Sequence, residues 1–190
     1  MNLATPVANL AVLGVVVAGA IGVGRTGEQS RAPQIGAGAT AAVAAMVVLL
    51  ALRSLLPVAR APAVAWLTVV VLLEEGAKLL AVWASGATGN AGSPGSRGAA
   101  VGLGFAATEN LLYILAPTGL ILLRFLTAGT IHVATTWLYG RALHPAPDHR
   151  HTHGVPRPRI ALPVALTIGA LGHLAYNLIA RSLDQILTVW

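Results

Sequence analysis

Most of this chain consists of apolar blocks about as long as a helix that crosses a lipid bilayer. Only 9% of its 190 residues are charged, whereas 56% are hydrophobic. A soluble domain has about 25% charged residues, so the composition excludes a soluble globular fold. With about 20 to 30 residues for each span and its loop, the chain has room for about six transmembrane helices. The expected fold is all-α, a polytopic membrane helical bundle that forms a single domain over residues 1–190.

Hydropathy predicts where the six spans lie. They cover about residues 5–23, 38–56, 63–84, 98–115 and 119–140, and the sixth runs from about 160 to between about 180 and 190. The stretches between them are rich in Gly, Pro, Ser and His, as loops are. The N-terminal stretch lacks the basic residues that begin a cleaved signal peptide, so it is interpreted as the first span.

Arginines distinguish the two sides of the predicted membrane protein. The loops after the first, third and fifth spans hold Arg25, Arg31, Arg97, Arg141, Arg150, Arg157 and Arg159. The opposite side holds Arg60 and Arg181, with Arg53 near a span end. Because cytoplasmic loops carry the excess of basic residues, a multi-pass protein of the cell membrane with both termini outside is expected. Topology thus accounts for the net charge of +6, and without interleaved aromatic and basic residues no nucleic-acid partner is expected.

A cluster of histidines and the absence of cysteine limit the other chemistries. His144, His149, His151 and His153 lie in the loop after the fifth span. Imidazoles bind metals and titrate near neutral pH, but in a Pro-rich loop a solvated segment is the favoured interpretation. Without any cysteine, disulfides, thiolate metal sites and a cysteine nucleophile are excluded.

Half of the acidic residues and the only lysine fall inside predicted spans. Glu74, Glu75 and Lys78 share the third span, and Glu109 lies in the fourth. At a helix centre each charge costs about 2.5 to 3.5 kcal/mol, so the four together cost on the order of 10 kcal/mol if unpaired. Residues this costly face the interior of the bundle and usually mark a site. Lys78 follows Glu75 by three residues and Glu74 by four, so it can neutralise either one in a structural ion pair.

Two histidines and an asparagine complete the polar set. His132 lies in the fifth span, and His173 and Asn177 share one face of the sixth. Counted from the expected cytoplasmic ends, both histidines, Glu75 and Glu109 lie about 12 to 20 Å deep. The hydrocarbon core is about 30 Å thick, so this depth is near its middle. Four helices that bring polar groups to one depth indicate a functional site.

Four motifs in this order resemble the PrsW family of intramembrane proteases, which belongs with the CAAX prenyl endopeptidases and the Abi proteins. They are Glu-Glu-x-x-Lys at 74–78, Phe-x-x-x-Glu-Asn at 105–110, the isolated His132, and His-x-x-x-Asn at 173–177. The CAAX relatives typically show Glu-Glu-x-x-x-Arg, Phe-x-x-x-His and His-x-x-x-Asn. The earlier basic residue and Glu109 in place of histidine are similar to the PrsW branch. The resemblance covers about residues 63–180, the third to sixth spans, as the expected catalytic core.

The resemblance implies an enzyme that cleaves peptide bonds within or beside the membrane. The first-described activity of the family is cutting a membrane-bound anti-sigma factor, so the implied partners are the bilayer and a membrane protein or peptide substrate. No feature of the sequence indicates an oligomeric state.

Amide hydrolysis matches the residues present. It needs a base for the water, a stabilised oxyanion and a proton for the leaving amine. Glu74 or Glu75 can be the base, and Asn177 can donate to the oxyanion. The two histidines can polarise the water or the carbonyl, and Glu109 can be a second acid/base or a metal ligand.

Which glutamate of the pair is the base is open at this stage. Successive helix residues point about 100° apart, so one should be catalytic and the other structural. Helix spacing favours a Glu74–Lys78 ion pair, which would free Glu75. In the CAAX relatives the first glutamate looks catalytic, and on that resemblance Glu74 is the preferred hypothesis.

A metal is the second open question. Glu109, His132 and His173 would make a two-histidine, one-carboxylate zinc site with an open position. The same residues could act without a metal, and because no His-Glu-x-x-His motif occurs, the sequence favours that alternative.

Two other function classes compete with a protease. Intramembrane Glu and His also build the relays of a proton-coupled transporter, although the matching repeats and broken helices of many transporters are not seen in the sequence. The third class is a non-catalytic Abi-type membrane protein.

Overall fold

The structure, a computed structural model, describes residues 31–55, 62–86, 93–112, 121–143 and 160–187. Regular structure in these ranges is entirely helical, which confirms the all-α fold for this part of the chain. The five helices are α1 (Ala32–Leu55), α2 (Ala63–Gly86), α3 (Pro94–Leu112), α4 (Ile121–Leu143) and α5 (Leu162–Leu187). They correspond to the second to sixth predicted spans. The predicted first span and the four loop histidines lie outside the described residues.

Two helices begin earlier than hydropathy predicts. α1 begins at Ala32 instead of about residue 38, and α3 begins at Pro94 instead of about residue 98. At α3 the backbone N–H of Ser96 donates to Ser93 Oγ at 3.2 Å, which is the hydrogen bond of an N-cap. Proline suits the first helical position because its missing N–H needs no partner there. Turn-forming residues that predict a loop therefore start a helix here.

Glycines allow α3 to pack closely between α1 and α4. A Cβ on Gly104 would lie 2.0 Å from the carbonyl oxygen of Ile35 in α1. On the other face, a Cβ on Gly102 would lie 2.2 Å from Thr136 Oγ1 and 2.5 Å from the carbonyl oxygen of His132 in α4. Small residues permit this approach of helix backbones in membrane bundles. The same approach brings the end of α3, with Glu109, next to His132.

α2 contacts each of the other four described helices, so its polar middle lies at the centre of the bundle. The polar side chains there are almost fully buried. They are Glu74 (8% exposed), Glu75 (2%), Lys78 (0%), His132 (1%), Thr136 (0%) and His173 (3%).

Large apolar side chains cover the outside of the bundle. Examples are the exposed side chains of Leu55, Leu80, Trp83, Leu171 and Ile179. In water, charged groups are almost never fully buried unless they are paired, and contiguous exposed apolar surface marks contact with a partner or a membrane. Buried charges inside an apolar exterior fit a protein surrounded by hydrocarbon.

Two of the described helices are long and apolar enough to cross a membrane, by length and composition alone. They are Ala32–Leu55 and the part of α5 from Leu162 to Leu183. α2 has the same length as α1, 24 residues, but Glu74, Glu75 and Lys78 lie in its middle. Such a helix is tolerated in lipid only where neighbouring helices cover its charges.

Candidate active site

Glu75 is the anchor of the buried polar cluster. Its Oε1 atom accepts hydrogen bonds from Lys78 Nζ and from His173 Nδ1, the latter at 2.7 Å. Its Oε2 atom accepts from the hydroxyl of Tyr139 at 2.5 Å. These donors come from α2, α4 and α5, so one carboxylate joins three helices. Because both of its oxygens accept hydrogen bonds and the side chain is buried, Glu75 is suited to hold these helices together.

Lys78 bonds to the second glutamate of the pair. Its ammonium donates to Glu75, three residues earlier, whereas helix spacing favoured the i,i+4 pair with Glu74. The same ammonium lies 2.9 Å from His132 Nδ1 and 5.2 Å from the centre of the Phe105 ring. Lys78 pairs with Glu75 because hydrogen bonds from Tyr139 and His173 fix the Glu75 carboxylate in the bundle centre.

His132 connects Lys78 to Glu109. Its Nε2 atom lies 2.5 Å from Glu109 Oε2. An ammonium group only donates, so Nδ1 accepts from Lys78, and the proton of the neutral ring lies on Nε2 and is donated to Glu109. Phe105, one turn before Glu109 on α3, packs on the imidazole with the ring centres 5.1 Å apart. The Phe-x-x-x-Glu motif therefore supplies both a packing surface and a hydrogen-bond partner for one histidine.

His173 faces Glu74 with its second nitrogen. Nδ1 donates to Glu75, and Nε2, which carries the lone pair whenever the ring is neutral, lies 3.5 Å from Glu74 Oε2. The ring also meets His132 edge to face, with the ring centres 5.1 Å apart. Glu74, His132 and His173 each offer one ligand atom, and these atoms all lie within 4.8 Å of one another. Three helices thus bring two imidazoles and a carboxylate to one point.

A cavity of about 230 Å³ lies beside Glu74 of this set. Glu74 and Glu109 line it together with Phe105. The rest of its wall comes from α1, through Ala42, Ala45, Met46 and Leu49. The site therefore has carboxylates from two helices beside a small apolar space.

The family of the chain follows from a comparison of its sequence with models of protein families. A sequence model described as PrsW family intramembrane metalloprotease matches residues 32–190. The chain belongs to the PrsW family. It is accordingly an intramembrane peptidase, and the description of the family favours the metal-dependent alternative over the metal-free one. Comparisons with curated proteins and with solved structures found no match.

The polar cluster of this PrsW-family protein fits a divalent metal in its donor types. Two histidines and a carboxylate are the protein ligands of many catalytic zinc sites. Ligands at about 2.0 to 2.2 Å from a tetrahedral zinc ion lie about 3.3 to 3.6 Å from each other. His173 Nε2 and Glu74 Oε2 are 3.5 Å apart, and the bound on the whole set is 4.8 Å. His132 would give up one of its two present hydrogen bonds to join them. The metal site predicted from the sequence had Glu109 as its carboxylate ligand, and that assignment stays a prediction. In the structure Glu109 is hydrogen-bonded to His132.

The PrsW motifs do not include two of the features around the cluster. Tyr139 is fully buried and bonds to Glu75, and it lies seven residues after His132, on the same face of α4. The cavity residues of α1 follow the i, i+3, i+4, i+7 pattern of one helix face. Neither feature was predicted, because a tyrosine and a run of Ala, Met and Leu look like ordinary packing in an apolar helix. Asn177, one turn beyond His173 on α5, is half-buried.

Proposed function

We propose that this chain hydrolyses a peptide bond of a membrane-associated protein at the cluster of Glu74, His132 and His173. In this proposal the three side chains hold a divalent metal, zinc by its donor set, and Glu109 is the general base and acid. The observation that carries the proposal is the convergence of the three ligand atoms within 4.8 Å beside a cavity. When bound, the metal supplies Lewis acidity that activates water and polarises the peptide carbonyl.

Glu109 is suited to move the protons of the reaction. It lines the cavity, and in the structure its carboxylate lies 2.5 Å from His132 Nε2. Glu109 takes a proton from the attacking water as the water oxygen bonds to the carbonyl carbon. It then delivers that proton to the nitrogen when the C–N bond breaks, so the products are a carboxylic acid and an amine. Asn177 is proposed to donate to the oxyanion, on the basis of the motif and its position one turn from His173.

Glu75 and Lys78 position the reactive groups without taking part in proton transfer. Glu75 holds the Nδ1–H of His173, as carboxylates behind metal-binding histidines commonly do, and this leaves Nε2 for the metal. Lys78 neutralises Glu75 and bonds to Nδ1 of His132. This division of the glutamate pair favours Glu74 as the reactive member. In a metal-free site Glu74 itself would be the base, as the resemblance to the CAAX relatives suggested.

The wider assignment rests on the sequence. We propose six transmembrane helices in a single domain with a catalytic core at about residues 63–180, from hydropathy. From the arginine distribution we propose that both termini lie outside. The motif resemblance supports placement with the CAAX endopeptidases and Abi proteins, and an anti-sigma factor as the type of substrate.

Metal content and activity measured on the same variants test the proposed roles. The protein is purified in detergent and incubated with a panel of single-span membrane proteins, with a chelator and after readdition of zinc. Glu74→Gln should lose both metal and cleavage, whereas Glu109→Gln should keep the metal and lose cleavage. Glu28→Gln, outside the predicted spans, is the control and should change neither.

The same measurements identify the alternatives. A Glu74→Gln protein that keeps its metal and its activity would rule out the proposed site. Activity that survives the chelator, together with loss of cleavage in Glu74→Gln, would establish the metal-free site with Glu74 as the base.

A further inference from the structure

The cavity beside the cluster has a lining of mixed chemistry. Glu74 and Glu109 contribute carboxylates, and the other lining residues are apolar. Ala42 and Ala45, 4% and 5% exposed, pack with Phe105 in one buried cluster. Met46 and Leu49 extend this wall along the same face of α1. A group bound in this cavity therefore lies beside the proposed reactive carboxylates.

The volume of the cavity limits what can enter. A cavity of about 150 Å³ is enough for benzene, so one large apolar side chain fits in the cavity of about 230 Å³.

The wall also selects the chemistry of that side chain. An anionic group inserted among alanine, leucine and phenylalanine would lose its hydration and would meet only the like-charged carboxylates of Glu74 and Glu109. Methionine is flexible and adapts to different apolar shapes. The size limit comes from Ala42 and Ala45, because any larger side chain at these two positions would project into the space.

We propose that this cavity binds the apolar side chain of the substrate residue next to the scissile bond, and that Ala42 and Ala45 set the size it accepts. The proposal rests on the proposed function, since it takes the cluster as the place of cleavage. It makes α1, which lies outside the catalytic motifs, the specificity-determining helix.

Substitution of the small residues tests the proposal. Ala45→Leu and Ala42→Leu each add three carbon atoms to the cavity wall, whereas Ala44→Leu adds the same atoms to the exposed face of α1. The substrates are synthetic apolar helical peptides that differ at one residue, Ala, Val, Leu or Phe, next to the bond that the wild-type protein cleaves. Wild type should prefer Leu or Phe over Ala by about 10- to 200-fold in kcat/KM.

Ala45→Leu should reverse this preference by at least about tenfold, with its metal content and its cleavage of the Ala peptide retained. Ala44→Leu should behave as wild type. If Ala45→Leu fails to fold, Ala45→Val and Ala42→Val provide the same test at smaller size. Unchanged preference in the folded cavity variants, or an equal loss on every peptide, would overturn the proposal.

Cross-linking separates this proposal from the proposed function. The same peptides, carrying photo-leucine at successive positions, are irradiated with the wild-type and the Ala45→Leu proteins. Cross-links to residues 42–49 should form in the wild type and disappear in Ala45→Leu. Such cross-links without cleavage would refute the proteolytic function and keep the cavity assignment, whereas cleavage without them would refute only the cavity assignment.

Discussion

Replacement of Lys78 by methionine should destabilise the protein strongly. The substitution keeps an unbranched side chain of similar length but removes the ammonium that bonds to Glu75 and His132. The glutamate, 2% exposed, then keeps only neutral donors. Breaking a buried ion pair by removing one partner costs about 3 to 5 kcal/mol, because the remaining charge is uncompensated. For a chain of this size that free energy lowers Tm by about 6 to 20 °C.

Thermal unfolding in detergent, followed by far-UV circular dichroism, measures this effect. Arg53→Met is the matched control: it removes an exposed charge at the end of α1 and should cost about 1 kcal/mol or less. The double variant Glu75→Gln/Lys78→Met leaves neither charge buried, so it should cost less than the two single variants together by about 2 kcal/mol. The buried pairing would be refuted if the Lys78→Met protein were as stable as the control. It would also be refuted if the loss of stability in the double variant equalled the sum of the losses in the two single variants.

Two further substitutions test the surroundings of the cluster. Tyr139→Phe removes one of the three donors to the anchoring glutamate and should weaken metal affinity by about 10- to 100-fold in chelator competition. Tyr176→Phe, which loses only an exposed hydroxyl contact, should not change the affinity, and equal effects of the two would contradict a positioning role. Gly102→Ala places a Cβ 2.2 Å from Thr136 Oγ1; it should separate α3 from α4 and lower both Tm and cleavage. Gly36→Ala is the control, because a Cβ there would meet nothing within 4 Å. It should be tolerated or should stabilise the protein by about 0.5 to 1 kcal/mol. If Gly102→Ala has the same small effect, close packing at Gly102 is unimportant.

The sequence by itself determined the class of fold and most of the polar site. Apolar blocks of bilayer length predict helices, since in lipid every backbone N–H and C=O must be satisfied within the segment. Glu75, Lys78 and His173 were recognised as members of one cluster because a charged or polar group in an apolar helix is costly enough to need a partner. The common depth of these groups stays a prediction, made because helix rise converts residue number into distance.

The start of α3 was not predictable from hydropathy. Ser93 and Pro94 are turn formers by composition, and they begin a helix because the hydroxyl caps a backbone N–H. Hydropathy averages over a window and does not contain that hydrogen bond.

Only the tertiary structure decided how the glutamate pair is divided. Helix geometry allows Lys78 to reach either Glu74 or Glu75, and the choice depends on Tyr139 and His173, which come from two other helices. The cavity beside α1 likewise depends on residues from other helices. Small apolar residues on a helix face are equally compatible with lipid, with a packed neighbour or with a cavity, and the facing helices decide which one they meet. Partner choice and empty volume depend on side chains distant in sequence, so no local pattern of this chain contains them.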